Sequence, residues 1–356
     1  MSKDCGGSAG TCSTVEKKKV AIAMQGGGAH GAFAWGVMDR LLEDERIEVV
    51  GASGTSAGGM NAASMIEGLI KGHNAGGRAK LNDYWREMAA LSKKSSPYQL
   101  NPLDKMAKYY NLDHSFGYYL MGAIQSFFCP YEWNPSNKNP FLEFLRDFFD
   151  FQAVRNSEER KIFLGATHVK TGKVKVFGND QFCADALMAS ACLPFLYQSV
   201  KVDGEYYWDG GFIANPAIFP LIYNTSANDI LLIQLTKSHT DEIPRSKAAV
   251  TDRLKEITYN GCLVHEMRAI HLISKMIDEG KIVDPSVKRI SMHVIKNEDS
   301  FKSLNLSSAL DTEWDFLQLL KNEGRKTADR WLLANYNNLG SKCHTLDEAM
   351  FSDFVG

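Results

Sequence analysis

The chemistry in this chain centres on one serine, in the pentapeptide Gly54-Thr55-Ser56-Ala57-Gly58. A strand-like run, Ile47 to Ala52, precedes it. A small-residue run suited to a helix, Ala57 to Ile70, follows and is closed by Lys71-Gly72. A serine on so sharp a strand-to-helix turn exposes its Oγ at the carboxyl edge of a sheet, and the residues two before and two after it must be small to avoid collision. The helix also aims the positive end of its dipole at charge that develops during acyl transfer. The rival reading is a Gly/Ser-rich turn that merely joins two elements. The flanking strand and helix favour the nucleophile.

A second glycine-rich stretch, Gly26-Gly27-Gly28-Ala29-His30-Gly31, follows an apolar run and opens a helical pattern. It fits G-x-G-x-x-G, so a dinucleotide site has to be weighed. That motif wants an acid about 20 residues on, at the carboxyl end of the second strand. Glu48 has the distance but begins that strand, and where the acid belongs the chain reads Ser53-Gly54-Thr55-Ser56. An oxyanion hole fits better. Glycines leave backbone N–H groups uncovered, so those of Gly26, Gly27, Gly28 and Ala29 can converge on one oxyanion at about 2.7–3.1 Å. Adjacent parallel strands would set this loop beside Ser56.

Serine needs a partner to take its proton. Nine histidines make a Ser-His-Asp triad the natural competitor. The α/β-hydrolase fold, however, builds several strands and its oxyanion loop before the elbow, whereas here the elbow follows only the second strand. His293 falls on a predicted strand, and His265 and His271 on a predicted long helix. Each reads as a surface or satisfied core residue.

The glycine loop, the early G-x-S-x-G and the later Asp209-Gly210-Gly211 together resemble the patatin-like phospholipases. Ala189-Ser190-Ala191-Cys192-Leu193-Pro194-Phe195 is similar to the family's stretch before its D-G-[GA] motif, and Ala166-Thr167 is similar as well. The likeness covers about residues 18–237, and the helix around Trp314 to Trp331 looks like that of bacterial members. The resemblance implies a three-layer α/β/α patatin-type fold with a mostly parallel central sheet. It implies a serine lipid acyl hydrolase of the phospholipase A kind, with Ser56 as nucleophile and Asp209 as general base in a two-residue dyad, and no metal or cofactor. Alone, Asp209-Gly210-Gly211 would read as a turn. The chain departs from many plant and animal members by carrying Ala29-His30 where they have Arg or Lys, which removes a cation that could hold a lipid phosphate. A thioesterase, polyester depolymerase or transacylase using the same dyad is the alternative. A non-catalytic binder or a nucleotide-binding protein is more remote.

Several elements must position these groups. Val20 to Met24 reads as a buried strand, and Ala32, Phe33, Trp35, Val37, Met38, Leu41 and Leu42 recur at helical spacing. Residues 80–92 form a separate helical pattern. Lys161 to His168 and Lys173 to Phe177 make a hairpin through Lys170-Thr171-Gly172, and a second hairpin at Asp203-Gly204 leads into Asp209. Ala184 to Cys192 is a short helix stopped by Pro194, and Asp229 to Thr236 is a central strand. Long helices at about 247–279 and 311–336 flank a strand at 289–295. Phe141, Leu142, Phe144, Leu145, Phe148 and Phe149 are assigned to core. The aromatic stretch 98–128 is either a lipid-facing cap or helices packed on the sheet. A lead-in without structure, 1–16, followed by one domain, 17–356, is the simplest organisation: a motif-bearing core at about 18–237 and a helical part at about 246–340.

Composition bounds the rest. The 356 residues are 44% hydrophobic and 23% charged, which suits a packed globular core. A net charge of −2 and no basic run beyond Lys17-Lys18-Lys19 exclude a nucleic-acid partner. Seven scattered cysteines, odd in number and without C-x2-C spacing, point to reduced thiols and the cytoplasm. Met1 to Thr14 has no apolar signal core, and no stretch nears the ~20 apolar residues of a transmembrane segment. The expectation is a protein that meets a lipid or other acyl-ester substrate from the water side, with transient membrane-surface contact. Export without a recognisable leader stays open.

Overall fold

A computed structural model describes residues 17–240 and 243–341. The lead-in 1–16, with Cys5 and Cys12, lies outside the described residues, as do Cys343 and His344.

The first half runs β1 (Lys18–Met24), α1 (Gly31–Glu43), β2 (Ile47–Gly54), α2 (Ala57–Ser95), α3 (Pro102–Ala107), α4 (Phe116–Phe127), α5 (Pro130–Trp133), α6 (Pro140–Phe148) and α7 (Phe151–Arg155). The second runs β3 (Lys161–His168), β4 (Val174–Phe177), α8 (Ala184–Ser190), β5 (Val200–Val202), β6 (Glu205–Asp209), α9 (Phe219–Asn224), β7 (Asp229–Ile233), α10 (Lys247–Asp278), β8 (Ser291–Ile295) and α11 (Trp314–Asn335). Both predicted hairpins are present. The second turns through Asp203 and Gly204, both at positive φ, which suits the twist of flanking strands. The helix expected to stop at Lys71-Gly72 and the one expected at 80–92 are both present: α2 is two helices joined across a kink at Gly72 and His73, whose φ/ψ are not helical, and the chain turns back far enough that a Cβ on Gly68 would lie 2.4 Å from the Gly76 carbonyl oxygen.

Strands β3, β2, β1, β7 and β8 are parallel in that order. Each is buried on both faces, as a sheet between helices requires. Val20, Ile22 and Met24 enter one core cluster with α1, α2, α8 and α11, while Ala21 and Ala23 enter another with α9 and α10. The expected three-layer α/β/α architecture is therefore present. Each large aliphatic side chain so buried contributes about 1.5–3 kcal/mol. Helix α11 lies tightly on α1: a Cβ on Gly36 would stand 1.9 Å from the Lys321 carbonyl oxygen, and one on Gly324 2.1 Å from that of Phe33. Of the six residues assigned to core in α6 and just after it, Leu145 and Phe149 are fully buried and the others pack partly buried against them.

The register around β3 decides where the chemistry meets. Its Leu164 pairs with Phe177 of β4 and with Gly54 of β2, and its Ala166 pairs with Lys175 of β4 and with Asp209 of β6. A strand has two edges, and β4 holds one of them from Leu164 to Thr167. Strands β2 and β6 must therefore share the other, running toward each other end to end. The carboxyl ends of both stop two residues apart on β3, about 7 Å.

Candidate active site

Ser56 sits in the gap between those two strand ends. Its φ of 54° and ψ of −126° lie in a region that costs a non-glycine residue about 1–3 kcal/mol. The neighbours over-determine that conformation. Its N–H donates to the Ser190 carbonyl at 3.0 Å and approaches the Ser190 Oγ at 3.1 Å. A Cβ on Gly54 would lie 2.2 Å from the Gly58 carbonyl oxygen, and one on Gly58 2.3 Å from that of Met24. Thr55 is anchored through its hydroxyl to the Ala214 carbonyl. Gly54, Thr55, Ala57 and Gly58 are buried, leaving Ser56 as the partly accessible member. Its side chain does not cap α2, which leaves Oγ at the positive end of the helix and able to turn toward Asp209.

Asp209 ends β6 and is fully buried. Its N–H donates to the Cys192 carbonyl at 2.8 Å, and its own carbonyl accepts from the Thr167 hydroxyl at 2.8 Å. Carboxylate Oδ1 accepts the Gly211 N–H at 2.7 Å. The Ser56 hydroxyl is near enough to favour the charged carboxylate, yet Oδ2 has no hydrogen bond of full geometry. Such contacts are commonly long before substrate binds. Burial pushes the Asp209 carboxyl up to about 6, against the opposing pull of the Gly211 amide, the Ser56 hydroxyl and the more distant Lys255 ammonium. Gly210 and Gly211 are required here: a Cβ would fall 2.3 Å from the Gly165 carbonyl oxygen or 2.7 Å from the Tyr259 ring.

The glycine loop lies against the serine, since a Cβ on Gly26 would be 2.8 Å from that of Ser56. The amide of Gly26 departs from expectation. It donates to Asn215 Oδ1 at 2.7 Å and so is taken, which makes Gly26 a contact residue instead of a donor. Among the described residues, the N–H groups of Gly27, Gly28 and Ala29 donate to nothing. Gly28 has a φ of +59°, and a Cβ there would sit 2.2 Å from the Ala309 carbonyl oxygen. Gly31 packs where a Cβ would be 2.8 Å from that of Ala57, bringing α1 against α2.

No imidazole comes between Ser56 and Asp209 among the described contacts. His30 turns away, its Nε2 2.8 Å from Ser308 Oγ and its ring against Phe301; burial first, then Lys255 and Lys237, pushes it down to about 3, so it is neutral. His293 is a buried residue of β8 whose Nε2 meets Asp229 Oδ1 at 2.8 Å, toward the amino end of β7. Among the described residues no cluster of three His, Cys, Asp or Glu side chains could hold a metal ion.

Sequence reasoning missed the supports. Gln25 Oε1 accepts the N–H groups of Leu235 and Thr236 at 2.9 Å each, and its Nε2 donates to Asn260 at 3.0 Å. Gln25 thereby ties the loop to β7 and α10. A polar residue directly after an apolar strand was the one available sign. Asn215, Asn260 and Tyr259 carried none, because each matters only through a partner far along the chain, while Ser190 was marked only as part of the family-like stretch 189–195.

The sequence model of one family, described as patatin-like phospholipase, matches residues 22–222, more than half of the chain. No curated protein matches it. Of two similar solved structures, one is VipD from Legionella pneumophila, at 15% identity and TM-score 0.33, covering 87% of this chain and 67% of that one. The other is full-length ExoU from the type III secretion system of Pseudomonas aeruginosa, solved with SpcU, at 14% identity and TM-score 0.34, covering 95% of this chain and 58% of that one. Likeness at that level carries no argument about mechanism.

Proposed function

The chain belongs to the patatin-like phospholipase family, and so to the lipid hydrolases; from that premise we propose that it cleaves carboxylic esters of lipids with Ser56 as nucleophile and Asp209 as its only protein base. The observation that carries this reading is the meeting, on one edge of β3, of a strained serine, a buried carboxylate and a loop of uncommitted amides. Asp209 takes the Ser56 proton as Oγ attacks the ester carbon. The N–H groups of Gly27, Gly28 and Ala29 receive the oxyanion, and Asp209 returns the proton to the leaving alcohol. Water, deprotonated by the same carboxylate, then splits the acyl-enzyme and restores both groups.

Loss of the loop conformation should be costly. Gly28→Ala meets both a positive φ and the Ala309 carbonyl, so the loop must shift. Turnover should fall about 100- to 1000-fold, the cost of one lost oxyanion donor, while the circular dichroism spectrum stays unchanged. Wild-type rates in this variant would remove the loop from the mechanism.

A water-side enzyme needs a way onto its substrate, and no helix among the described residues is long and apolar enough to cross a membrane. Helix α4 offers a surface route: it buries none of its residues, and Phe116 and Phe127 are 81% and 83% exposed, while Leu103 and Met106 of α3 are exposed too. Such apolar surface suits the headgroup–acyl boundary. Incubation with liposomes of mixed membrane lipid should release free fatty acid, read by mass spectrometry. Phe116→Ser with Phe127→Ser should slow that release about tenfold or more while leaving a dissolved short-chain ester unaffected. Absence of any acyl product would defeat the hydrolase reading, and equal rates on liposomes would defeat the docking role of α4.

A further inference from the structure

The amides offered to an oxyanion lie in the link between β1 and α1, residues 25–30. Its first and last residues are each anchored by a side chain beyond the family-matching segment 22–222. At the front, Gln25 is fully buried and its Nε2 donates to Asn260 Oδ1 at 3.0 Å. Asn260, on α10, is itself fixed, since its Nδ2 donates to the Lys237 carbonyl at 2.8 Å. With Nε2 so held, Oε1 faces the Leu235 and Thr236 N–H groups. At the rear, His30 Nε2 lies 2.8 Å from Ser308 Oγ. Ser308 gives its one hydrogen to the Asn305 carbonyl at 2.7 Å, so its oxygen accepts, and the ring proton of neutral His30 sits on Nε2. Ser308 is fully buried in the turn Leu306–Leu310, whose Ala309 carbonyl also abuts Gly28.

We propose that Asn260 and Ser308 are positioning residues for acyl transfer, acting through Gln25 and His30 to aim the Gly27, Gly28 and Ala29 amides at one oxyanion. The proposal rests on Ser56 and the loop being the acyl-transfer centre, and it extends the working unit of that centre into α10 and the turn before α11. Neither side chain touches Ser56 or Asp209 among the described contacts. Each donor amide lies only a few residues from both anchored ends, so releasing either end lets the peptide planes between them turn. An oxyanion donor works only when it is aimed before the charge develops, which ties these anchors to the barrier and not to substrate affinity.

The test compares the full chain with its Asn260→Ala and Ser308→Ala variants on a dissolved short-chain ester. Each variant should lower kcat about 10- to 100-fold, part of the cost of a lost oxyanion donor, with KM within about twofold. Fluorophosphonate labelling of Ser56 should slow by the same factor, because the phosphoryl oxygen occupies the same amides. Gln25→Ala combined with Asn260→Ala should cost no more than Gln25→Ala alone, since the second change removes a contact already lost. His30→Phe should match Ser308→Ala, and His30→Gln, which keeps a donor near the place of Nε2, should largely restore the rate. Urea melts give the folded fraction, so that kcat is compared per folded chain. Unchanged kcat in either alanine variant overturns the proposal for that end of the loop, and so does a loss confined to KM or to stability. Full activity in Ser56→Ala would instead remove the acyl-transfer centre itself. A requirement for Ser56 with wild-type rates in both alanine variants would keep that centre and dismiss the anchors.

Discussion

Ser56→Ala should lower kcat on every carboxylic ester by about 10⁴-fold or more, and should abolish covalent labelling by a fluorophosphonate. The effect is large because nothing nearby can substitute. The adjacent Thr55 hydroxyl is buried and committed to the Ala214 carbonyl, and Ser190 Oγ lies against the Ser56 amide on the protein side of the turn. Alanine also relieves no clash, because the strain at Ser56 lies in its backbone and every non-glycine residue shares it. The folded state should therefore lose activity and keep its stability within about 1 kcal/mol. Residual labelling at another residue would show that a different nucleophile does the work.

Asp209→Asn should cost about 10³- to 10⁴-fold in turnover, with a consequence for stability that runs the other way. Burial raises this carboxyl from 3.8 to about 6. Between those values the folded chain binds a proton that the unfolded chain has released, so stability falls as pH rises through the window. Above pH about 6 the charged carboxylate destabilises the fold by an amount on the order of 3 kcal/mol. Asparagine keeps an acceptor for the Gly211 amide and carries no charge. The variant should therefore resist urea better than wild type at pH about 8, with the gain shrinking toward pH about 4. Wild-type kcat/KM should climb tenfold per pH unit below about 6 and level off above it, as the base ionises. A flat profile, or a destabilised Asp209→Asn at high pH, would contradict a buried carboxylate acting as base.

How much of this was legible beforehand differs from residue to residue. The elbow was readable because its demands are local: a strand, a turn that admits only small neighbours, and a helix, all within the span from Ile47 to Ile70. The hairpins at Thr171-Gly172 and Asp203-Gly204 were readable for the same reason. The break between the two helices of α2 was readable as well, because Lys71-Gly72 closes the first one locally and the backbone leaves helical φ/ψ at Gly72 and His73. Asp209 carried almost no signal of its own. Only its order behind the other motifs marked it, through family resemblance, because a D-G pair is an ordinary turn signal.

The residue types that can attack, accept a proton or bare their amides are set down in the chain, along with the strand and helix periods that carry them. Their convergence is not. Strand β6 ends opposite β2 only because β3 pairs with both along one edge, a register set by which faces the core buries. The same long-range packing took the Gly26 amide for Asn215, 189 residues away, and set Asn260 of α10 against Gln25. Such partners are separated by hundreds of backbone dihedrals, so no local pattern can announce them.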